Sequence, residues 1–441
     1  MTTLPATLKR RSPLLVVALC FAVIVLDGYD LMIFGAIVPV LLEYQAWGLG
    51  PGEVGIIGSL TTFGMLVGAL LVGTLSDIFG RRRVFLTSTI WFSVMTLLSA
   101  VAPTPELFGM LRLLAGIGLG GVMPTAIALT VEYAPANRKQ FYNAMMFVGY
   151  SVGGVLAALL ALFLVQPLGF RWLIAFGAVP GILLVPVIAK YLPESMSYLV
   201  RRGETERAED LSWTYGIELA ASGPSPDTRR TGAFRYLLGP RRLRPLVLFS
   251  TASFAGLLLV YGLNTWLPQI MRSAGYPLGS SISFLLVLNL GAVVGTIASA
   301  ALADRVGSRI AVTLAFVAAA ITLVGLSLQP GAALLYVFVA LAGLGSIGTQ
   351  ILVNGYAAAY FPVWTRGTAV GITLGVGRLG AVVAPLMVGF ILESGLSFQW
   401  NFYAFLLAAA LGLVAILLIP REKRLTAQQA STPSTAEPSA P

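Results

Sequence analysis

Two aspartates three residues apart, Asp27 and Asp30 in the stretch LDGYDLMIF, stand inside a run that is otherwise apolar from Leu14 to Leu42. Each acid near the centre of a membrane-spanning helix costs about 2.5 to 3.5 kcal/mol on insertion scales, so two of them imply a compensating use. A helix sets residues i and i+3 on one face, and both carboxylates can look into one cavity. Arg112 lies near the start of a later apolar run that travels the opposite way, so it can be level with them. One aspartate then pairs with Arg112 while the other gains and releases a proton; the sequence leaves open which does which. Glu132 and Glu393 fall at the ends of apolar runs and the chain has no histidine, so Asp27 and Asp30 are the best proton carriers. Arg378 is a further intramembrane cation. Counted from Gly367 it lies eleven residues into its run (378 − 367 = 11), roughly 16 Å deep. A bidentate carboxylate best offsets a guanidinium there, and a carboxylate on a bound solute is the partner left over.

The elements that position these groups follow from composition. With 57% hydrophobic and 10% charged residues and a mean hydropathy of +0.87, the chain reads as an all-α integral membrane protein. Continuous apolar runs predict twelve helices rather than the alternating strands of a barrel. They fall near 14–42, 52–76, 84–102, 108–131, 140–165, 171–192, 245–271, 279–303, 309–328, 331–353, 367–392 and 399–419. The amino end is read as an uncleaved first helix, because its apolar run is too long for a signal core. Lys and Arg cluster on one side of this topology, from Lys9–Arg11 through Arg81–Arg83 and the 190–244 region to Arg421–Arg424; the opposite loops hold Arg171 and Arg272. By the positive-inside rule both termini are cytoplasmic, and the net charge of +10 is a topology signal rather than a nucleic-acid surface. One cysteine, Cys20, excludes internal disulfides, and the lack of histidine argues against a structural zinc or haem site; no metal or cofactor is expected.

The chain repeats itself. Asp77-x-x-Gly80 with Arg82 recurs as Asp304-x-x-Gly307 with Arg309 (304 − 77 = 227), and LAGIG at 114–118 recurs as LAGLG at 341–345 at the same offset. Tyr133-x-Pro135 returns as Tyr360-x-Pro362, and Gly153 as Gly380. This predicts two six-helix halves in one orientation: 1–192 and 244–420, a cytoplasmic linker loop over 193–243, and a disordered tail over 421–441. Parallel halves are the architecture of major facilitator transporters. GTLSDIFGRRRV and RLLAGIGLGG resemble that superfamily's loop and span signatures. In such a fold Asp77, Gly80, Arg81, Arg82 and Arg83, with the weaker echo at Asp304 and Arg309, would latch the bundles together on the cytoplasmic side in one state and part in the other.

Within the superfamily DGYD, Arg112, Arg378 and the run AAYFPVWTRGTAVGITLGVGRLGAVVAP resemble the aromatic acid/proton symporters. That resemblance implies symport of benzoate-like or hydroxybenzoate-like anions with protons in a bacterial inner membrane, with the lipid bilayer and no nucleic acid as partner, by a monomer. Tyr29, Phe34, Tyr150, Asn264, Gln350 and Asn354, with Tyr261, Trp266, Asn289 and Tyr356, lie in spans where a ring-stacking, hydrogen-bonding pocket could form. Glycine runs such as GIGLGG and GYSVGG read as close helix contacts. No Gly-Lys-Ser/Thr triplet occurs, so an ATP-driven pump is disfavoured, and without histidine an enzyme site is hard to assemble. The alternatives are another facilitator, for muconate, other organic acids, sugars or drugs, and a membrane sensor that does not transport.

Overall fold

The computed structural model describes residues 12–135, 138–217, 226–362 and 364–420. These form fifteen helices, and no strand occurs among the described residues. The first half comprises α1 (Leu14–Glu43), α2 (Pro51–Phe79), α3 (Arg81–Ala100), α4 (Pro105–Tyr133), α5 (Lys139–Leu168) and α6 (Phe170–Tyr191). The second comprises α10 (Pro240–Ser273), α11 (Leu278–Val306), α12 (Ser308–Ser327), α13 (Ala332–Tyr360), α14 (Arg366–Glu393) and α15 (Gln399–Leu418). All twelve are long and apolar enough to span a membrane. Between the halves lie α7 (Met196–Arg201), α8 (Thr205–Tyr215) and α9 (Pro226–Leu237), so the segment expected to be a loop is largely helical. The tail expected to be disordered lies outside the described residues.

The internal repeat is exact for three helix pairs. α2, α3 and α4 begin and end at the positions that α11, α12 and α13 occupy one repeat later (278 − 51 = 227, 306 − 79 = 227). Local signals set the ends. Pro51 opens α2 while the Gly50 N–H donates to Glu53 Oε2 at 2.9 Å, and Thr104 Oγ1 caps α4 by accepting from the Leu107 N–H at 3.3 Å. Gly80 and Gly307, with φ of +97° and +86°, turn the chain from α2 into α3 and from α11 into α12. A side chain is strained at such a φ, hence the glycines of the repeated Asp-x-x-Gly.

Glycine also sets how tightly the helices pair. α2 lies on α4 and α11 on α13. A Cβ at Gly116 would sit 2.1 Å from Thr61 O, and one at its repeat partner Gly343 would sit 1.9 Å from Leu288 O. Backbones that close leave no room for any side chain, which is how small residues replace a hydrophobic driving force inside a bilayer. The halves meet along α2 and α14, α5 and α11, and α1 and α10.

Candidate functional site

The centre of the site is the crossing of α1 with α5. A Cβ at Gly28 would lie 2.1 Å from Tyr150 O and one at Gly153 would lie 2.1 Å from Val25 O, so the glycine of DGYD lets the two backbones touch. Asp27 is thereby brought into electrostatic range of Tyr150. Both its carboxylate oxygens are buried without a hydrogen-bond partner. Asp30, one turn on, is fully engaged: Arg112 Nη1 donates to its Oδ1 and Oδ2 at 2.9 and 2.8 Å, and Thr96 Oγ1 donates to Oδ1 at 2.9 Å. Arg112 Nη2 also reaches Asp30 O at 3.3 Å, and its guanidinium lies 5.6 Å from the centre of the Phe34 ring. The ion pair left open by the sequence is therefore Asp30 with Arg112, buried on both sides.

Arg378 reaches the same region from α14 of the other half. It is half-buried and acts electrostatically on Asp27, Tyr150 and Tyr261. Among the described residues no ion pair within 4.0 Å joins it to a carboxylate. Above this layer is a small cavity whose walls include Phe34, Thr61, Thr62, Arg112, Tyr150, Tyr261, Asn264 and Thr265, drawn from both halves. Its free volume of about 10 Å³ matches one water rather than an aromatic ring.

The end of the molecule away from the arginine-rich loops is shut. Ser59 Oγ on α2 donates to Val382 O on α14 at 2.7 Å, and Trp266 Nε1 on α10 donates to Pro385 O at 3.1 Å. A Cβ at Gly55 would be 2.8 Å from Pro385 O. At the rim Arg272 Nε donates to Glu43 Oε1 at 2.8 Å, joining α10 to α1. Trp266 thus holds the helices together rather than facing the cavity.

Other expected positions separate. Tyr29 is a correction: its hydroxyl donates to Leu173 O at 2.8 Å and its ring packs on Gly177, so it faces α6 and not the cavity. The reason is geometric, since two residues from Asp27 is roughly 200° around a helix. Gln350 donates to Ser253 Oγ at 2.9 Å and to Asn354 Oδ1 at 3.1 Å, forming a polar link between α13 and α10 that is not part of the cavity wall. Tyr356 stacks edge-on to Phe249, ring centres 4.9 Å apart.

In this conformation, shut at the opposite end, the loop residues bond locally. Arg201 Nη2 of the linker pairs with Asp77 Oδ1 at 3.0 Å, and Arg81 pairs with Glu132 at the end of α4 at 3.1 Å. Glu194 Oε1 accepts from the Arg82 and Ser195 N–H groups at 2.9 Å each, while the Arg82 guanidinium donates to Ala189 O. Arg83 and Asp304 are exposed, and Arg309 Nη2 donates to Leu417 O at 2.8 Å. These bonds join helix ends of one half to each other and to the linker; they do not clamp one half to the other. Sequence reasoning missed Thr96, Arg201 and Glu194. Only Glu194 carried a signal, a Pro-Glu-Ser run in which Ser195 caps the short α7 by accepting from the Tyr198 N–H.

Similarity to known proteins agrees with this arrangement. The chain matches the Major Facilitator Superfamily over residues 20–358 and again over 289–441. It is 36% identical over 416 residues to the benzoate transport protein of Acinetobacter baylyi, covering 92% of this chain and 89% of that one. It is 36% identical over 405 residues to the gentisate transporter of Corynebacterium glutamicum, covering 90% and 85%. The inward open structure of the xylose transporter XylE from E. coli superposes with a TM-score of 0.73 at 18% identity, over 94% of this chain and 98% of that one. Helix order, repeat and relatives together assign the chain to the major facilitator superfamily, within its family of aromatic acid transporters.

Proposed function

We propose that this protein imports an aromatic carboxylate of the benzoate or hydroxybenzoate type together with protons, by alternating access, across a bacterial inner membrane with both termini cytoplasmic. The observation that carries the reading is a pair of unmatched opposite charges. Among the described residues Asp27 is a buried carboxylate with no hydrogen bond, and Arg378, which acts on it electrostatically from the other half of the molecule, has no ion pair within 4.0 Å. Asp30 neutralises Arg112, so that pair is a fixed strut that Thr96 and Phe34 hold in place. Arg378 takes the substrate carboxylate and Asp27 takes the proton. Phe34, Tyr150 and Tyr261 then wall the ring, with Asn264 at the far end. Gln350 and Asn354 support α10 from behind, and Asp77 and Arg82 brace the first half against the linker, through Arg201 and Glu194, as the bundles rock.

The chemistry explains coupling. A substrate carboxylate that occupies Arg378 withdraws that cation from Asp27, and a proton carried by Asp27 replaces the lost countercharge. Solute and proton therefore enter and leave as a set, and neither buried charge is exposed to lipid alone. Uptake of labelled benzoate, 3- and 4-hydroxybenzoate and muconate into vesicles, with and without an imposed proton gradient, tests this. Accumulation of an aromatic acid above equilibrium only with the gradient is expected; uptake of muconate alone, or accumulation indifferent to the gradient, would overturn it.

A further inference from the structure

The polar end of the cavity wall is Asn264, and its amide is held in one orientation. Nδ2 donates to Val260 O at 2.8 Å and Oδ1 accepts from Asn289 Nδ2 at 3.1 Å. Asn289 is itself fully buried, donates to Leu285 O at 3.0 Å, and lies against α5, where a Cβ at Gly154 would come 2.1 Å from its Oδ1. A carboxamide has two donor hydrogens and two acceptor lone pairs, so the protein leaves Asn264 one N–H and one lone pair. That side chain is 4% exposed and lines the cavity. Of the hydroxyls around it, Thr62 Oγ1 donates to Ser59 O at 3.0 Å and Thr61 Oγ1 to Ile57 O at 3.4 Å, both on their own helix, while the Tyr150 hydroxyl is buried without a partner among the described residues.

Spacing along α10 supplies the second argument. A Cβ at Gly377, next to Arg378, would lie 2.2 Å from Ser253 Oγ and 3.2 Å from the tip of Leu257, which sets Arg378 on α14 beside the Ser253–Leu257 turn of α10. Asn264 lies seven residues beyond Leu257 and eleven beyond Ser253, roughly 10 to 16 Å along the axis, part of which the side chains themselves span, with Tyr261 between on the same stripe. That separation suits a single aromatic ring with its carboxylate at one end and a substituent at the other.

We propose that Asn264, positioned by Asn289, reads a hydroxyl group on the ring, so that the favoured substrates are hydroxylated aromatic carboxylates. The inference rests on the reading that Arg378 holds the carboxylate. A ring hydroxyl can donate to Asn264 Oδ1 or accept from Nδ2, whereas an unsubstituted ring leaves that amide unpaired in a closed site, a mismatch from which polar pockets draw their selectivity.

The test is the ratio of kcat/KM for 3- or 4-hydroxybenzoate to that for benzoate, measured with purified protein in proteoliposomes. The wild type favours at least one hydroxylated acid. Asn264→Leu, similar in size but without hydrogen bonds, lowers that ratio about ten-fold, the weight of one good hydrogen bond. Asn289→Leu leaves Asn264 in place and lowers the same ratio by less, and Asn264→Ser serves if the leucine variant does not fold. A wild type that prefers benzoate to both hydroxybenzoates, or variants with the wild-type ratio, would overturn the assignment. If Arg378→Ala binds all these acids as the wild type does, the carboxylate reading fails first and is identified as the cause.

Discussion

The two halves share one scaffold and almost none of its chemistry. One repeat on from Asp27, Asp30 and Arg112 (27 + 227 = 254) stand Phe254, Leu257 and Val339; one repeat back from Arg378, Asn264 and Gln350 stand Ser151, Ile37 and Met123. The glycines that let helices touch are kept in both halves, with Gly64, Gly68, Gly116 and Gly153 matching Gly291, Gly295, Gly343 and Gly380. Positions that obey the two-fold repeat carry packing. Positions that break it carry the charges of the site. A transporter gains from this division: two similar bundles can rock about a common centre, while the unlike groups on their facing surfaces meet only there.

The comparison is broken most severely at the packing positions. Gly116→Val and Gly343→Val each place a branched side chain against backbone of the paired helix, a strain of at least about 1–3 kcal/mol. Both halves should respond alike, with folded protein after detergent extraction, read by size-exclusion chromatography, falling steeply for each. A large loss for one and none for the other would refute the equivalence.

At positions that break the repeat the effect should move from folding to binding. Arg378→Ala should weaken binding of benzoate-like ligands at least 100-fold in calorimetry, consistent with roughly 2–5 kcal/mol for truncating one member of a buried charge pair. Arg378→Lys, which keeps charge but loses the fork, should retain weak binding. Its repeat partner gives the control: Ser151→Ala, at a fully buried residue whose hydroxyl has no hydrogen-bond partner, should leave affinity within about two-fold. Equal losses at Ser151 and Arg378 would mean the site is not built on the asymmetry.

The smallest predicted contrast is between the two loops. Asp77, bonded to Arg201, should slow cycling by about five-fold when changed to Asn, with insertion intact, in line with roughly 1 kcal/mol for a half-exposed ion pair. Exposed Asp304 changed to Asn should lie within about two-fold of wild type, a difference that initial uptake rates resolve. The reverse order would restore a latch centred on the second loop.

Much of this was legible in the chain. The offset of 227 is visible in four short matches, and α2, α3 and α4 obey it to the residue, with the Gly80 turn recurring as Gly307. Pairing of Arg112 with one of two aspartates follows from helix direction and depth. Which aspartate does not follow, because residues three apart differ by only about 60° in heading and the rotation of α1 against α4 decides. The place of Tyr29, by contrast, is implied by the helical period alone, which sets it roughly 200° from Asp27. The linker helices were hidden by low hydropathy, although α8 is bounded by Gly203 and Gly216 and carries a Glu204–Arg207 pair. Thr96 gives no signal in sequence, since only the fold brings its side chain within reach of Asp30 on α1.

The central claim is that Asp27 carries the proton while Asp30 is occupied by Arg112. Substrate-driven proton movement in proteoliposomes tests it most directly, with a pH-sensitive dye inside and 4-hydroxybenzoate added outside. Wild-type vesicles should acidify internally as substrate enters; Asp27→Asn vesicles should exchange labelled for unlabelled substrate across the membrane yet show no substrate-linked acidification. Acidification by Asp27→Asn at the wild-type rate would contradict the account.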